Sequence, residues 1–194
     1  MNITPYALPG LFLIEPDVFG DSRGYFFESF REDKLNALGI TSRFVQDNES
    51  KSRRGVLRGL HYQTPPFTQA KIVRVFHGAV LDVVVDIRTD SPTFGKHASI
   101  ELSAENRRQL VIPRGFAHGF AVLSPEAVFV YKCDNYYSKE HDCGIAHDDP
   151  QLAIDWRIAP EDTIVSDKDS RQPLLRDATL FTTAEFKCTE TARE

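Results

Sequence analysis

The sequence predicts an all-β protein, an antiparallel sandwich or barrel with one or two short helices. Two observations carry this: seven or more short apolar segments follow one another with turn residues between them, and a single stretch has convincing helical character. The clearest strand is at 81–87, where Leu81, Val83, Val85 and Ile87 alternate with Asp82, Val84 and Asp86. Its regularity is expected to fix the sheet more than the site.

Taken in order, 11–15 reads as a short strand, and Asp21, Ser22, Arg23 and Gly24 form a polar turn before Tyr25, Phe26 and Phe27. The turn sets Arg23 and Glu28 on either side of an aromatic cluster; alone, Arg23 reads equally well as an exposed turn arginine. Residues 31–38 suit a short helix that Gly39 ends. In 43–50, Gln46 and Asn48 share one parity and can offer amide donors and acceptors from one strand face, a pattern equally common on solvated faces.

The stretch GVLRGLHYQ, 55–63, packs Arg58 and His61 into a β-type apolar run that Pro65 and Pro66 end. Strict alternation would point these two side chains to opposite faces. For both to reach one pocket, Gly59 must mark a bulge or twist. A further strand follows at 71–76, with Lys71 sharing parity with Val73 and Val75, so its ammonium either snorkels to water or meets a ligand. Ala98, Ile100 and Leu102 continue the alternation. PRGFAHGF then turns tightly and delivers His118 onto a strand, and Ala127, Phe129 and Tyr131 share one face of the next.

With 194 residues the chain is long enough to bury a sizeable core, and one domain over 1–194 is expected, with its core at about 11–180 and a polar, loosely held tail at 183–194. A net charge of −5 argues against a general polyanion binder, so no nucleic acid partner is expected. Cys133, Cys143 and Cys188 are odd in number and form no CxxC, which fits reduced thiols in a cytoplasmic protein. No secretory leader is read at the start, and no apolar run approaches the ~20 residues of a membrane span.

PRGFAH resembles the second motif of the cupins, in which a turn feeds a histidine into a small jelly-roll barrel. More closely, DSRGYFFESF, FVQDNESKS, GVLRGLHYQ, IPRGFAHGF, YKCDNYYSKEHDCGI and SDKD resemble, in order, the signatures of the dTDP-4-dehydrorhamnose 3,5-epimerase family. The resemblance runs from about residue 11 to about 180. It implies a jelly-roll barrel, a dTDP-linked 4-keto-6-deoxyhexose substrate, no cofactor and no metal, and a homodimer for which Ile72 and Phe76, opposite Lys71, offer an apolar face unless they pack within the monomer.

Carried over residue by residue, the family's general base falls on His61, its supporting carboxylate on Asp169 and its general acid on Tyr131. Its nucleotide-sugar contacts fall on Arg23, Glu28, Gln46, Asn48, Arg58, Lys71, His118 and Lys168. Tyr137 matches the aromatic that stacks on thymine, and Asp142 the acidic contact, where glutamate is commoner. His147 departs from a common tryptophan.

The implied reaction inverts carbons beside a ketone, so it needs a base and an acid on opposite sides of the sugar and a cation or donor at the enolate oxygen. Lys71 and His118 are the candidates for that oxygen. The guanidinium forks of Arg23 and Arg58 suit diphosphate, and Gln46, Asn48 and Glu28 the thymine and deoxyribose end. Three alternatives remain: inversion at C3 alone, a non-catalytic sugar-nucleotide binding module, and a metal site built from His61, His118 and a distant carboxylate.

Overall fold

A computed structural model of the chain describes residues 1–187. Thirteen strands and two short helices follow in the order β1 (Asn2–Pro5), β2 (Phe12–Glu15), β3 (Phe19–Asp21), β4 (Gly24–Phe26), α1 (Glu32–Asn36), β5 (Gln46–Arg53), β6 (Leu57–Gln63), β7 (Lys71–His77), β8 (Ala79–Asp86), β9 (His97–Ser103), β10 (Gln109–Ile112), β11 (Phe116–Val122), β12 (Glu126–Cys133), β13 (Asp142–Gly144) and α2 (Thr183–Lys187). A six-stranded sheet runs β1-β2-β10-β7-β12-β5 and a five-stranded sheet runs β13-β6-β11-β8-β9. Every ladder between these strands is antiparallel. The all-β jelly roll read from the sequence is the architecture observed.

Alternation decides what lies between the sheets. Val73, Val75 and Phe129 from one sheet meet Val80, Val84, Phe120 and Val122 from the other in one buried cluster. Leu81, Val83, Val85 and Ile87, the opposite parity of β8, face outward but are covered too, by Leu152, Trp156, Leu175 and Phe181 from the C-terminal third. Val84 interrupts the polar parity because that parity faces the core between the sheets, and with its outer side covered as well β8 is buried on both faces.

Several boundaries differ from the sequence reading. β1, outside the expected core, pairs with β2, and β5 starts at Gln46 rather than at residue 43. Ile72 is not surface: it is buried with Ile14, Leu35 and Val111 under α1, whereas Phe76 is half exposed. The tail expected to be loose from residue 183 instead begins with α2, because Phe186 buries its ring edge-on against Phe181. The rest of that tail, with Cys188, lies outside the described residues.

Candidate active site

The local event that makes the site is in β6. Between His61 and Arg58 the strand spends three residues where its partner β11 spends two, from His118 to Phe120, so β6 carries one extra residue there. Gly59 absorbs it at φ +116, and a Cβ on Gly59 would come within 2.6 Å of Gly119 Cα and 2.7 Å of His118 O. Only a glycine pair lets the two backbones pinch this closely. As a result Leu57, Leu60 and Tyr62 pack on the outer cluster while Arg58 and His61 both line the same inner cavity.

That cavity, about 400 Å³, lies between the sheets. His61 and Arg58 enter it from β6 and His118 from β11, all in the five-stranded sheet. Asn48 enters from β5, Lys71 from β7 and Tyr131 from β12, all in the six-stranded sheet. Tyr137, Asp142 and Lys168 complete the mouth. The imidazole of His61 and the phenol of Tyr131 therefore project from opposite walls of a single chamber.

Behind His61 stands Asp169, whose Oδ1 lies 2.5 Å from Nε2. The carboxylate is buried, in a turn whose Ser166 Oγ accepts from the Asp169 N–H. Burial alone would raise the Asp169 carboxyl, but the bonds from His61, Ser166 and the Gly59 backbone outweigh it and hold it below its ordinary value. An ionised carboxylate only accepts hydrogen bonds, so Nε2 carries the proton and Nδ1 keeps its lone pair.

On the facing wall, burial first, then the charges of Cys133 and Asp142 against that of Arg58, pushes the Tyr131 phenol up to about 12. It is thus fully protonated at neutral pH. Lys71 sits with its ammonium 5.8 Å from the centre of the Tyr131 ring, and burial pulls its pKa down. Arg58 is aimed by Ser52, whose Oγ accepts from Nε at 3.1 Å.

At the mouth Asp142 is a hub, accepting from Tyr137 OH at 2.8 Å and from Lys168 Nζ. The bond to Asp142 raises the Tyr137 phenol. Gln46 lies one bond behind the wall, accepting from the Tyr137 backbone at 3.0 Å and donating to Asn48 Oδ1 at 3.1 Å. Its side chain sets the position of an exposed aromatic ring.

Arg23 and Glu28 are not brought to this cavity. Arg23 sits on the β3–β4 hairpin, 88% exposed and paired with Asp21, and Glu28 faces Arg31 and Lys34 at 3.6 Å. The hairpin strands have three residues each and pair only with each other, so the turn that the sequence placed near the site is an arm outside it.

Other residues escaped the sequence reading. Gln63 accepts from Ser138 N at 2.6 Å and donates to Phe67 O at 2.7 Å, tying the Tyr137 loop to β6. Asp82, read as a sheet-fixing residue, places Oδ2 2.8 Å from His118 Nε2. A signal existed for Asp82: a carboxylate on an otherwise apolar strand needs a buried partner. Both histidines of the cavity thus have Nε2 committed to a carboxylate. His147 has its Nδ1 buried without a hydrogen-bond partner among the described residues, while its carbonyl accepts from Trp156 Nε1 at 2.8 Å.

This arrangement can remove a proton from one face of a ring and return one to the other, with cations beside the carbonyl. The family model described as dTDP-4-dehydrorhamnose 3,5-epimerase matches residues 5–177. A Shigella flexneri protein of that name is 52% identical over 93% of this chain and 99% of its own length. A solved Legionella pneumophila epimerase in complex with dTDP-4-keto-L-rhamnose superposes with a TM-score of 0.89 at 51% identity, covering 93% of this chain and 97% of that one. A solved 3'-monoepimerase from Streptomyces bikiniensis in complex with dTDP-quinovose gives 0.88 at 34% identity, covering 97% of this chain and 98% of that one. With most of its length matched and half of its residues identical to such proteins, the chain belongs to the dTDP-4-dehydrorhamnose 3,5-epimerase family.

Proposed function

We propose that the chain inverts C3 and C5 of dTDP-4-dehydro-6-deoxy-D-glucose, giving dTDP-4-dehydro-L-rhamnose. The observation that carries this is the pairing across one cavity of His61, backed by Asp169, with protonated Tyr131. Nδ1 of His61 takes the proton beside the ketone, and the electron pair moves onto the C4 oxygen as an enolate. Tyr131 returns a proton to the opposite face, and His61 and Tyr131 then exchange protons with solvent before the next inversion. Lys71 and His118 stabilise the enolate oxygen, a contribution of ~3–4 kcal/mol per donor in comparable oxyanion sites.

Arg58 grips the diphosphate as a fork, with Lys168 as a second cation. Tyr137 stacks on the thymine, while Asn48, Gln46 and Asp142 orient the nucleotide end. A binding module has no use for a base and an acid on opposite walls. Double inversion is favoured over inversion at C3 alone by the identity of 51–52% to proteins named for the 3,5 reaction against 34% to the 3'-monoepimerase.

Arg23 and Glu28 find a role in a homodimer. Phe19, Tyr25 and Phe26 on the arm are each more than 60% exposed, an apolar surface that supports contact with a second copy. The arm would then bring Arg23 and Glu28 to the partner's sugar nucleotide. Analytical ultracentrifugation tests this, with a monomer at micromolar concentration counting against it.

The whole chain acts as a single epimerase domain in the cytoplasm. Cys133 and Cys143 form no disulfide among the described residues, and no described helix is long and apolar enough to cross a membrane. The decisive experiment is deuterium wash-in from solvent at C3 and C5, followed by NMR of the product. Exchange at both carbons with L-rhamno product supports the proposal, exchange at C3 alone supports the mono-epimerase, and none at either supports a binding module.

A further inference from the structure

A second imidazole–carboxylate pair stands beside the first. His118 is the register partner of His61 across β11 and β6, and its Nε2 meets Asp82 Oδ2. Asp82 is wholly buried, and its Oδ1 has no hydrogen-bond partner among the described residues. Leaving half of a buried carboxylate unsatisfied is costly, and packing alone gives no reason to tolerate it on a strand as apolar as β8.

The His118 ring is held on its face as well, stacked on Phe129 at 5.9 Å, and Phe129 is stacked on Phe120 at 4.1 Å. With Nε2 donating to Asp82, Nδ1 has no protein partner among the described residues, on a ring that lines the cavity.

We propose that Asp82 is a positioning residue for enolate stabilisation. It fixes His118 through Nε2 and supplies the buried negative charge against which a ring carrying both protons donates from Nδ1 to the C4 oxygen. This rests on the enolate reading above. Asp82 touches no substrate; it works through His118, which does.

Asp82→Asn separates charge from geometry, because its amide oxygen can still accept from Nε2 while the charge is gone. We expect kcat and the rate of deuterium wash-in at C3 to fall together by about 10- to 100-fold, with KM and the Kd for dTDP within about twofold of the parent. A folded Asp82→Asn with kcat within about twofold of the parent overturns the proposal. Adding Asp82→Asn to His118→Gln should cost little more than His118→Gln alone, and losses that multiply overturn it.

If Asp82→Asn does not fold, ¹⁵N NMR of histidine-labelled parent protein decides. A His118 ring protonated at both nitrogens supports the proposal, and a neutral ring overturns it. His61→Ala is measured alongside: retained exchange there defeats the enolate reading itself. Abolished exchange there beside an unimpaired Asp82→Asn defeats only the role of Asp82.

Discussion

The cavity and the β3–β4 arm were both expected to touch the sugar nucleotide, yet they are built in opposite ways. The cavity draws its side chains from six strands of two sheets, each locked by register, and its polar groups are tied to buried partners such as Asp169, Ser52 and Asp82. The arm is a short hairpin with 61–69% exposed aromatics, and among the described residues its arginine bonds only to Asp21 of its own turn. Groups that move protons are held to fractions of an ångström by the fold. Groups that only add binding energy can ride on a segment whose surface is finished by something else.

If that contrast is right, mutations in the cavity should strike turnover and mutations in the arm should strike affinity. The largest effect is expected from His61→Ala, which should abolish wash-in at both carbons, a loss of about 10⁴-fold or more in kcat while dTDP still binds. Next, Tyr131→Phe should lower net inversion by about 100-fold and spare much of the first proton removal, seen as wash-in that outpaces product formation. Equal loss of both would remove the acid role from Tyr131.

Arg23→Ala should raise KM by about 10-fold with kcat nearly unchanged, and Phe26→Ala should weaken self-association in sedimentation. An arm variant that destroys kcat at saturating substrate would erase the contrast. The smallest effect concerns acid stability. The Asp169 carboxyl is held below its ordinary value, so its stabilisation is complete above about pH 4 and lost as pH falls through the folded value. Asp169→Asn should therefore flatten the drop in Tm below about pH 4, with little change in slope near neutrality.

The Tyr131 phenol has the opposite sign. Raised to about 12, its share of stability is intact below about pH 10 and is lost as pH climbs through 12. A basic limb in the rate profile near pH 8 therefore belongs to another group, and Tyr131→Phe should leave that limb in place.

Much of the cavity was legible because alternation is a local code. The parity of Tyr131 with Phe129, and of Asn48 with Gln46, survives in β12 and β5 unchanged. The irregularity at Gly59 was legible too, since two polar residues of opposite parity demanded it. What local parity could not convey was long-range cover. Ile72 looks like surface until α1 folds over it, and Phe186 looks like tail until it meets Phe181. Asp82 was passed over because its partner lies 36 residues away on a neighbouring strand. Arg23 and Glu28 were placed near the site because order along the motif says nothing about distance in space.

The surplus residue in β6 also makes the strand keep two counts at once. Up to Arg58 it reads in one phase, and from Leu60 onward in the other, so a greasy exterior and a reactive interior share the same seven residues. Forcing residue 59 back into plain alternation, as a β-branched side chain there would, acts as a frameshift without any change in the reading of codons: everything beyond it would trade faces, a leucine would be turned into the chamber, and the imidazole would be packed away among aliphatic neighbours. Such a protein could keep its sheets and lose its chemistry.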